Sequence, residues 1–194
     1  FRYAKELGYA IKLLAIAREV DCALQVRVHP ALIVEDLLLA KVDGVFNAVQ
    51  VEGDLVGRVL FYGRGAGSEP TTSAVVADVI DLAQNIGLGV SNRVRVQLDE
   101  SKLLQPMSAV ETRYYLRMQV ADRPGVLAKI AQAFGAHQIS IASCIQKEGD
   151  GLGQTAEIVI MTHLARESAM QDALREIREL PVVTEIGNFI RVEV

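Results

Sequence analysis

The sequence predicts an α+β chain: an antiparallel sheet segment with packed helices, followed by a two-layer sandwich of strand-helix-strand-strand-helix-strand order. Two observations predict it. Apolar and polar residues alternate with period two in short runs along both halves, whereas helical spacing is confined to a few segments entered through glycine or proline. In the C-terminal part these segments follow one another in that βαββαβ order. With 51% of its 194 residues apolar, the chain can build one large core or two small ones, and the change of pattern midway favours two.

The chain opens at Phe1 with FRYAKELGYAIKLLA, without an initiator Met and in mid-helix, and therefore reads as a piece of a longer protein. YAIKLLAIAREV, CALQVRVHPALI and GVFNAVQVEGDLVGRVLFYG are strand-rich, with Val26 and Val28 alternating with Gln25 and Arg27. Glu52-Gly53-Asp54 is a hairpin turn signal, and an antiparallel meander is expected. The glycine-rich GRGAG then leads into a helix with Ala74, Val75, Val79, Ile80 and Leu82 near its apolar face. Ser68 or Thr71 is the expected cap of that helix, and Pro70 fits its first turn. Gly87 to Val110 mixes polar and apolar residues and is read as a linker.

In the last part, Tyr114, Leu116, Met118 and Val120 alternate with Tyr115, Arg117 and Gln119, which makes a half-buried strand. A sharp Asp122-Arg123-Pro124-Gly125 turn follows, then a helix carried by Val126, Leu127, Ile130, Ala131 and Phe134. Ile139, Ile141 and Ile145 alternate with Ser140, Cys144 and Gln146 in a second strand. Thr155 to Thr162 is a third strand, Arg166 to Leu180 a second helix through Met170, Ala173, Leu174, Ile177 and Leu180, and Val182 to Val194 the last strand. The order βαββαβ is that of the ferredoxin-like sandwich, a four-stranded antiparallel sheet with two helices on one face.

Composition removes several function classes. The net charge of −4, with both signs interspersed, provides no basic stripe for nucleic acid and no excess charge for a membrane surface. No apolar run reaches the roughly 18 to 20 residues that span a bilayer, and the reading is a cytoplasmic protein. Cys22 and Cys144 stand far apart and are expected as reduced thiols. His29, His137 and His163 have no Cys or carboxylate at ligand spacing, so no metal site is expected, and His29 reads as a structural or surface residue. Lys5, Glu6, Lys12, Glu52 and Asp54 form no acid-base pair by spacing and read as solvated.

Two stretches resemble known families. DRPGVLAKIAQAF followed by ISIAS closely resembles the ACT domain, a regulatory module that in many biosynthetic enzymes binds an amino acid. RVHPALI and then LLAKVDGVFNAVQVEGDLVGRVLFYGRGAGSEPTTSAVVADVIDLA resembles the latter part of the catalytic domain of bacterial homoserine dehydrogenases, which often carry a C-terminal ACT domain. The pair of resemblances implies three segments: 1–86 from the end of the catalytic domain, 87–112 as linker and 113–194 as ACT domain.

The resemblance implies reversible hydride transfer between NAD(P) and the couple L-homoserine and L-aspartate 4-semialdehyde, in threonine, methionine and isoleucine biosynthesis. In the family the nucleotide-binding domain and the catalytic lysine lie upstream of the region matched here. No catalytic residue is therefore named, and the chain alone is expected to bind no cofactor and to be inactive. On spacing alone Gly63, Gly65 and Gly67 favour a strand-to-helix turn over a nucleotide contact. The resemblance makes Gly65, Ala66 and Gly67 candidates for contact with the nicotinamide side of the cofactor.

The turn at Asp122, Gly125 and Val126 is either a capped helix start or a seat for an amino-acid effector, with backbone amides facing its carboxylate and Asp122 pairing its ammonium group. Ser140 stands where relatives place a ligand-contacting polar residue, often Asn, across a dimer interface. The implied effector is L-threonine, and the implied assembly a homodimer through ACT domains. Two alternatives stay open on sequence: a stand-alone ACT-type amino-acid sensor with an unrelated β-rich partner domain, and, ranked last, a regulatory half like that of aspartate kinases.

Overall fold

The computed structural model describes residues 1–90, 102–147 and 155–193, which divide between two compact units: Phe1–Glu35 with Lys102–Val194, and Asp36–Ser101. The first thirty-five residues thus pack with the C-terminal sandwich, a division that does not follow the segment boundaries drawn from sequence.

The first unit begins with α1 (Arg2–Glu6), a single turn of helix that ends before Gly8 at φ 77. β1 (Tyr9–Val20) and β2 (Ala23–Val34) form a long antiparallel hairpin. Its loop is the two residues Asp21 and Cys22, both at positive φ (50 and 62), the left-handed geometry that matches the twist of paired strands. Nothing in the composition of this loop announces it, since glycine is absent.

The second unit holds the hairpin of β3 (Phe46–Gly53) and β4 (Gly57–Arg64), and α2 (Ser68–Gly87). The Glu52-Gly53-Asp54 signal falls where the chain reverses. The expected meander does not form, because β3 and β4 make a separate two-stranded sheet while β2 takes other partners. The N-cap of α2 is Gly67, with no side-chain cap, so neither Ser68 nor Thr71 caps it; Pro70 does lie in the first turn. α2 buries no side chain among the described residues, and Val75, Val79, Ile80 and Leu82 are all exposed.

Of the expected linker, residues 91–101 lie outside the described set, and its end is ordered. β5 (Leu103–Leu104) pairs with β2, and Val110 is buried. The sandwich follows as β6 (Glu111–Ala121), α3 (Val126–Ala136), β7 (Ile141–Lys147), β8 (Thr155–Thr162), β9 (Ala165–Arg166), α4 (Glu167–Glu179) and β10 (Val183–Glu193). Its strands lie in the order β10-β6-β8-β7, all antiparallel, which is the predicted ferredoxin-like topology. β10 also pairs in parallel with β2 (Arg191↔Ala31, Val192↔Leu32, Glu193↔Ile33), so one mixed sheet runs from β1 to β7.

Two apolar layers explain the burial. On the helix side, Tyr114, Leu116, Met118 and Val120 of β6 pack with α3 and α4 through Ile130, Phe134, Met170, Leu174 and other side chains. On the other side, Tyr115 packs with Val159, Met161, Val192, Leu32 and the α1 residues Tyr3 and Ala4. Covering both faces of β6 is why Tyr115 is buried although its neighbours in the alternation, Arg117 and Gln119, are only half-buried.

Three expected core positions differ. Leu127 and Ala131 are exposed, because Ala133 takes the inward position on α3. A register shift between Ile141 and Ser143 flips the alternation of β7, so that Ile141 faces the helices and Ile145 the opposite layer.

Candidate functional site

Three places carry the sequence-predicted residues. The first is the turn after β6. Arg123 N donates to Ala121 O at 3.1 Å, and Gly125 adopts φ 87 as the N-cap of α3 with no side-chain cap. Asp122 therefore does not cap the helix; its carboxylate is exposed. Val126 is buried in the helix-side core, which leaves only its backbone amide for a ligand. A helix start without a cap presents first-turn N–H groups and the positive end of the dipole to an anion.

The second is Ser140, exposed at the entry to β7, whose carbonyl accepts from His163 N at 2.8 Å. The register separates it from the turn. Ala121 faces Thr155 at one end of β8 and Ile141 faces Thr162 at the other, about 20 Å apart at strand rise. Within one chain the structure does not bring Asp122 and Ser140 together.

The third is Gly65-Ala66-Gly67, between β4 and α2. Gly67 stands at φ 124, a conformation that other residues rarely adopt. At Gly65 a Cβ would overlap the side-chain amide of Asn47 and lie 2.8 Å from its Cγ. A side chain at this position would have to displace the Asn47 amide, a relationship invisible in spacing. An exposed, glycine-lined helix start offers backbone N–H groups to an anion, and the chemistry that NAD(P) would supply when bound is acceptance or donation of hydride.

Sequence reasoning missed the buried polar clusters. Glu167, only 4% exposed at the start of α4, accepts from Arg191 Nε at 2.8 Å and Nη2 at 2.5 Å, from the Tyr114 hydroxyl at 3.0 Å and from Gln171 Nε2 at 2.8 Å. Burial works to raise its pKa, but these partners, Arg191 foremost, hold the carboxyl below its ordinary range. The Tyr114 phenol is pushed well up, first by burial and then by the charge of Glu167.

Between β2 and β10, Arg27 donates to both oxygens of Glu193 and to Gln25 Oε1, and Gln25 donates to Gln105. His29, expected as structural or surface, is buried beside them with Nε2 3.7 Å from Glu193 Oε1. β2 thus turns Gln25, Arg27 and His29 inward and leaves Val26 and Val28 exposed, with Gln25 meeting Gln105 just after β5 and Arg27 and His29 meeting Glu193 of β10. Among the described residues no group of three or more His, Cys, Asp or Glu could hold a metal ion. Nor, among those residues, is any helix long and apolar enough to cross a membrane.

The geometry can now be set beside known proteins. Residues 1–80 match the homoserine dehydrogenase family and residues 114–182 the ACT domain. A homoserine dehydrogenase of Neisseria gonorrhoeae is 44% identical over 99% of this chain, and one of Pseudomonas aeruginosa 41%; in each case the chain spans 45% of the relative's length. The crystal structure of a homoserine dehydrogenase from Thiobacillus denitrificans superposes with a TM-score of 0.89 at 44% identity, over 99% of this chain and 44% of that one. A Staphylococcus aureus homoserine dehydrogenase gives 0.62 at 25% identity, with coverage of 100% and 44%. The hairpins, the glycine loop with its helix and the terminal sandwich occur in the order of the two matched regions, and over its length the chain is similar to the C-terminal region of homoserine dehydrogenases that ends in an ACT domain.

Proposed function

We propose that this chain is the substrate-side and regulatory region of an NAD(P)-dependent homoserine dehydrogenase, which interconverts L-homoserine and L-aspartate 4-semialdehyde in the cytoplasm. The observation that carries this reading is the succession of the two family regions at 44% identity across 99% of the chain. Within it, the Gly65–Gly67 loop and the start of α2 lie against the nicotinamide side of the cofactor. The proton on the substrate oxygen is moved by residues outside this sequence. The chain by itself has no turnover, and the longer enzyme reduces L-aspartate 4-semialdehyde with NADPH or NADH. Following nucleotide absorbance for both tests this reading; turnover by the 194-residue chain, or none by the longer enzyme, overturns it.

The ACT region is proposed to sense L-threonine, the end product, and to pair two subunits. The uncapped start of α3 and the exposed Asp122 support a carboxylate and ammonium seat there. The distance between that turn and Ser140 supports a site completed by a second chain, since one chain cannot supply both. A coupling of about 1 to 3 kcal/mol would alter substrate affinity roughly 5 to 150 fold. Sedimentation with and without millimolar threonine, together with inhibition of the longer enzyme, checks this; a monomer with no response counts against it.

A further inference from the structure

His29 is a buried side chain with an unused nitrogen. It is 8% exposed in the second half of β2, opposite Leu14 of β1 and just ahead of the stretch Ala31, Leu32 and Ile33 that pairs with β10. Its Nδ1 lies 3.0 Å from Pro30 O, which can only accept, so Nδ1 carries the hydrogen. Its Nε2 has no hydrogen-bond partner and stands 3.7 Å from Glu193 Oε1. That gap is too wide for a hydrogen bond and too narrow for a water between the two atoms. In the neutral ring Nε2 is therefore an acceptor set beside an acceptor.

Both ring nitrogens adjoin atoms that only accept, and the imidazolium, which donates from both, is the form that suits this setting. The carboxylate has room for it. A carboxylate offers about four acceptor positions, and Arg27 fills three, at 3.2, 2.9 and 2.9 Å. Among the described residues the charged groups around the ring are Glu193 on β10, Arg27 on β2 and Arg18 on β1, whose Nη2 is 3.7 Å from Glu193 Oε2. Further back along β10, Arg191 is already paired with Glu167 beside Tyr114. One carboxylate thus answers two guanidinium groups and the ring, and histidine is the side chain of this set suited to change charge between about pH 5 and 8.

We propose that His29 is a proton-operated latch between the first hairpin and the sandwich: a proton taken from solvent onto Nε2 turns the approach to Glu193 into a charge-assisted hydrogen bond and extends the join of β2 to β10. The hairpin belongs to the region that matches homoserine dehydrogenases and β10 ends the sandwich that holds the ACT match, so acidification tightens the connection between the two. The bond exists only in the folded chain. Its contribution is complete on the acid side of the transition and is lost as the pH rises, the reverse of a buried, paired carboxylate. The latch depends neither on an effector nor on the hydride reaction.

The test follows the ring nitrogens of the chain by NMR with isotope-labelled histidine from about pH 8 to about pH 5, His29 being identified by its absence from His29→Gln. The expected result is an Nδ1–H ring at the alkaline end that gains a proton at Nε2 on acidification. Amide exchange at Ala31, Leu32 and Ile33, corrected for its intrinsic pH dependence, should slow over the same interval in the native chain and not in His29→Gln. Arg18→Gln removes a half-exposed competitor for Glu193 and should move the transition up by about half a pH unit, whereas Glu193→Gln should move it down by about one. The melting temperature lost in His29→Gln should be about 2–4 °C larger near pH 5 than near pH 8. A ring that stays neutral throughout, an Nε2–H ring at the alkaline end, a transition that Arg18→Gln leaves in place, or exchange that ignores pH each overturns the latch. Arg18→Gln carries the test alone should Glu193→Gln fail to fold.

Discussion

Arg27 and Glu193, 166 positions apart, meet through contacts of 2.9, 2.9 and 3.2 Å with both side chains under a tenth exposed. The pair ties β10 to a part of β2 that lies outside the paired stretch of Ala31, Leu32 and Ile33. Glu193→Leu strands the buried Arg27 guanidinium with only Gln25 and should cost about 3–5 kcal/mol, whereas Arg27→Met should cost less because Arg18 stays 3.7 Å from Glu193, and the double substitution should recover most of the larger loss. Urea denaturation of the four proteins checks the cycle.

Glu167 and Tyr114 predict the two limbs of the stability profile. The Glu167 carboxyl is depressed on folding, so its contribution is complete above about pH 5 and disappears as the pH falls through the folded value. Tyr114 is raised on folding, so its contribution is complete below about pH 10 and declines as the pH climbs beyond that. In thermal melts across pH, Glu167→Gln should flatten the acid limb and Tyr114→Phe the alkaline one. Glu167→Gln should also cost about 3–5 kcal/mol near neutrality, because Arg191 loses its buried partner.

Gly125 holds the start of α3 at φ 87 with open space around it, so strain and not collision opposes a side chain there. Gly125→Ala should lower stability by about 1–2 kcal/mol and leave the circular dichroism spectrum unchanged. A loss near zero would show that the turn relaxes into another conformation.

At Gly65 the opposite holds, since the space is taken by the Asn47 amide. In the longer enzyme Gly65→Ala should raise the KM for NAD(P) about tenfold, and adding Asn47→Ala should bring it back to within roughly twofold. If the double variant stays as impaired as the single one, the glycine is needed for the approach of the cofactor itself.

Local chemistry made most of the sandwich legible. The alternation through Tyr114–Val120, the turn at Pro124 and Gly125, and the apolar row Met170, Ala173, Leu174 and Ile177 each record one element's own environment, and β6, α3 and α4 follow them. The contact of the first half of β2 with β10 left no such record, because its signal is split between polar residues at 27 and 29 and a carboxylate at 193. Taken by itself, that half of β2 reads as solvent-facing. The shift in β7 was hidden for a related reason: a bulge inserts one residue without changing composition. At the candidate sites, sequence named the glycines of the loop but not Asn47, which decides one of them.

The join of β2 to β10 also sets a timetable for biosynthesis. On the ribosome, Arg27 emerges 166 residues before Glu193, a delay on the order of ten to thirty seconds at 5–20 residues per second. Throughout that interval the inner edge of the first hairpin lacks its partner strand, and the Arg27 cation is what discourages pairing with other nascent strands. Completion of this unit therefore waits until Glu193 has emerged, and its yield in a cell should depend on chaperone supply more steeply than that of the self-contained β3–β4 hairpin.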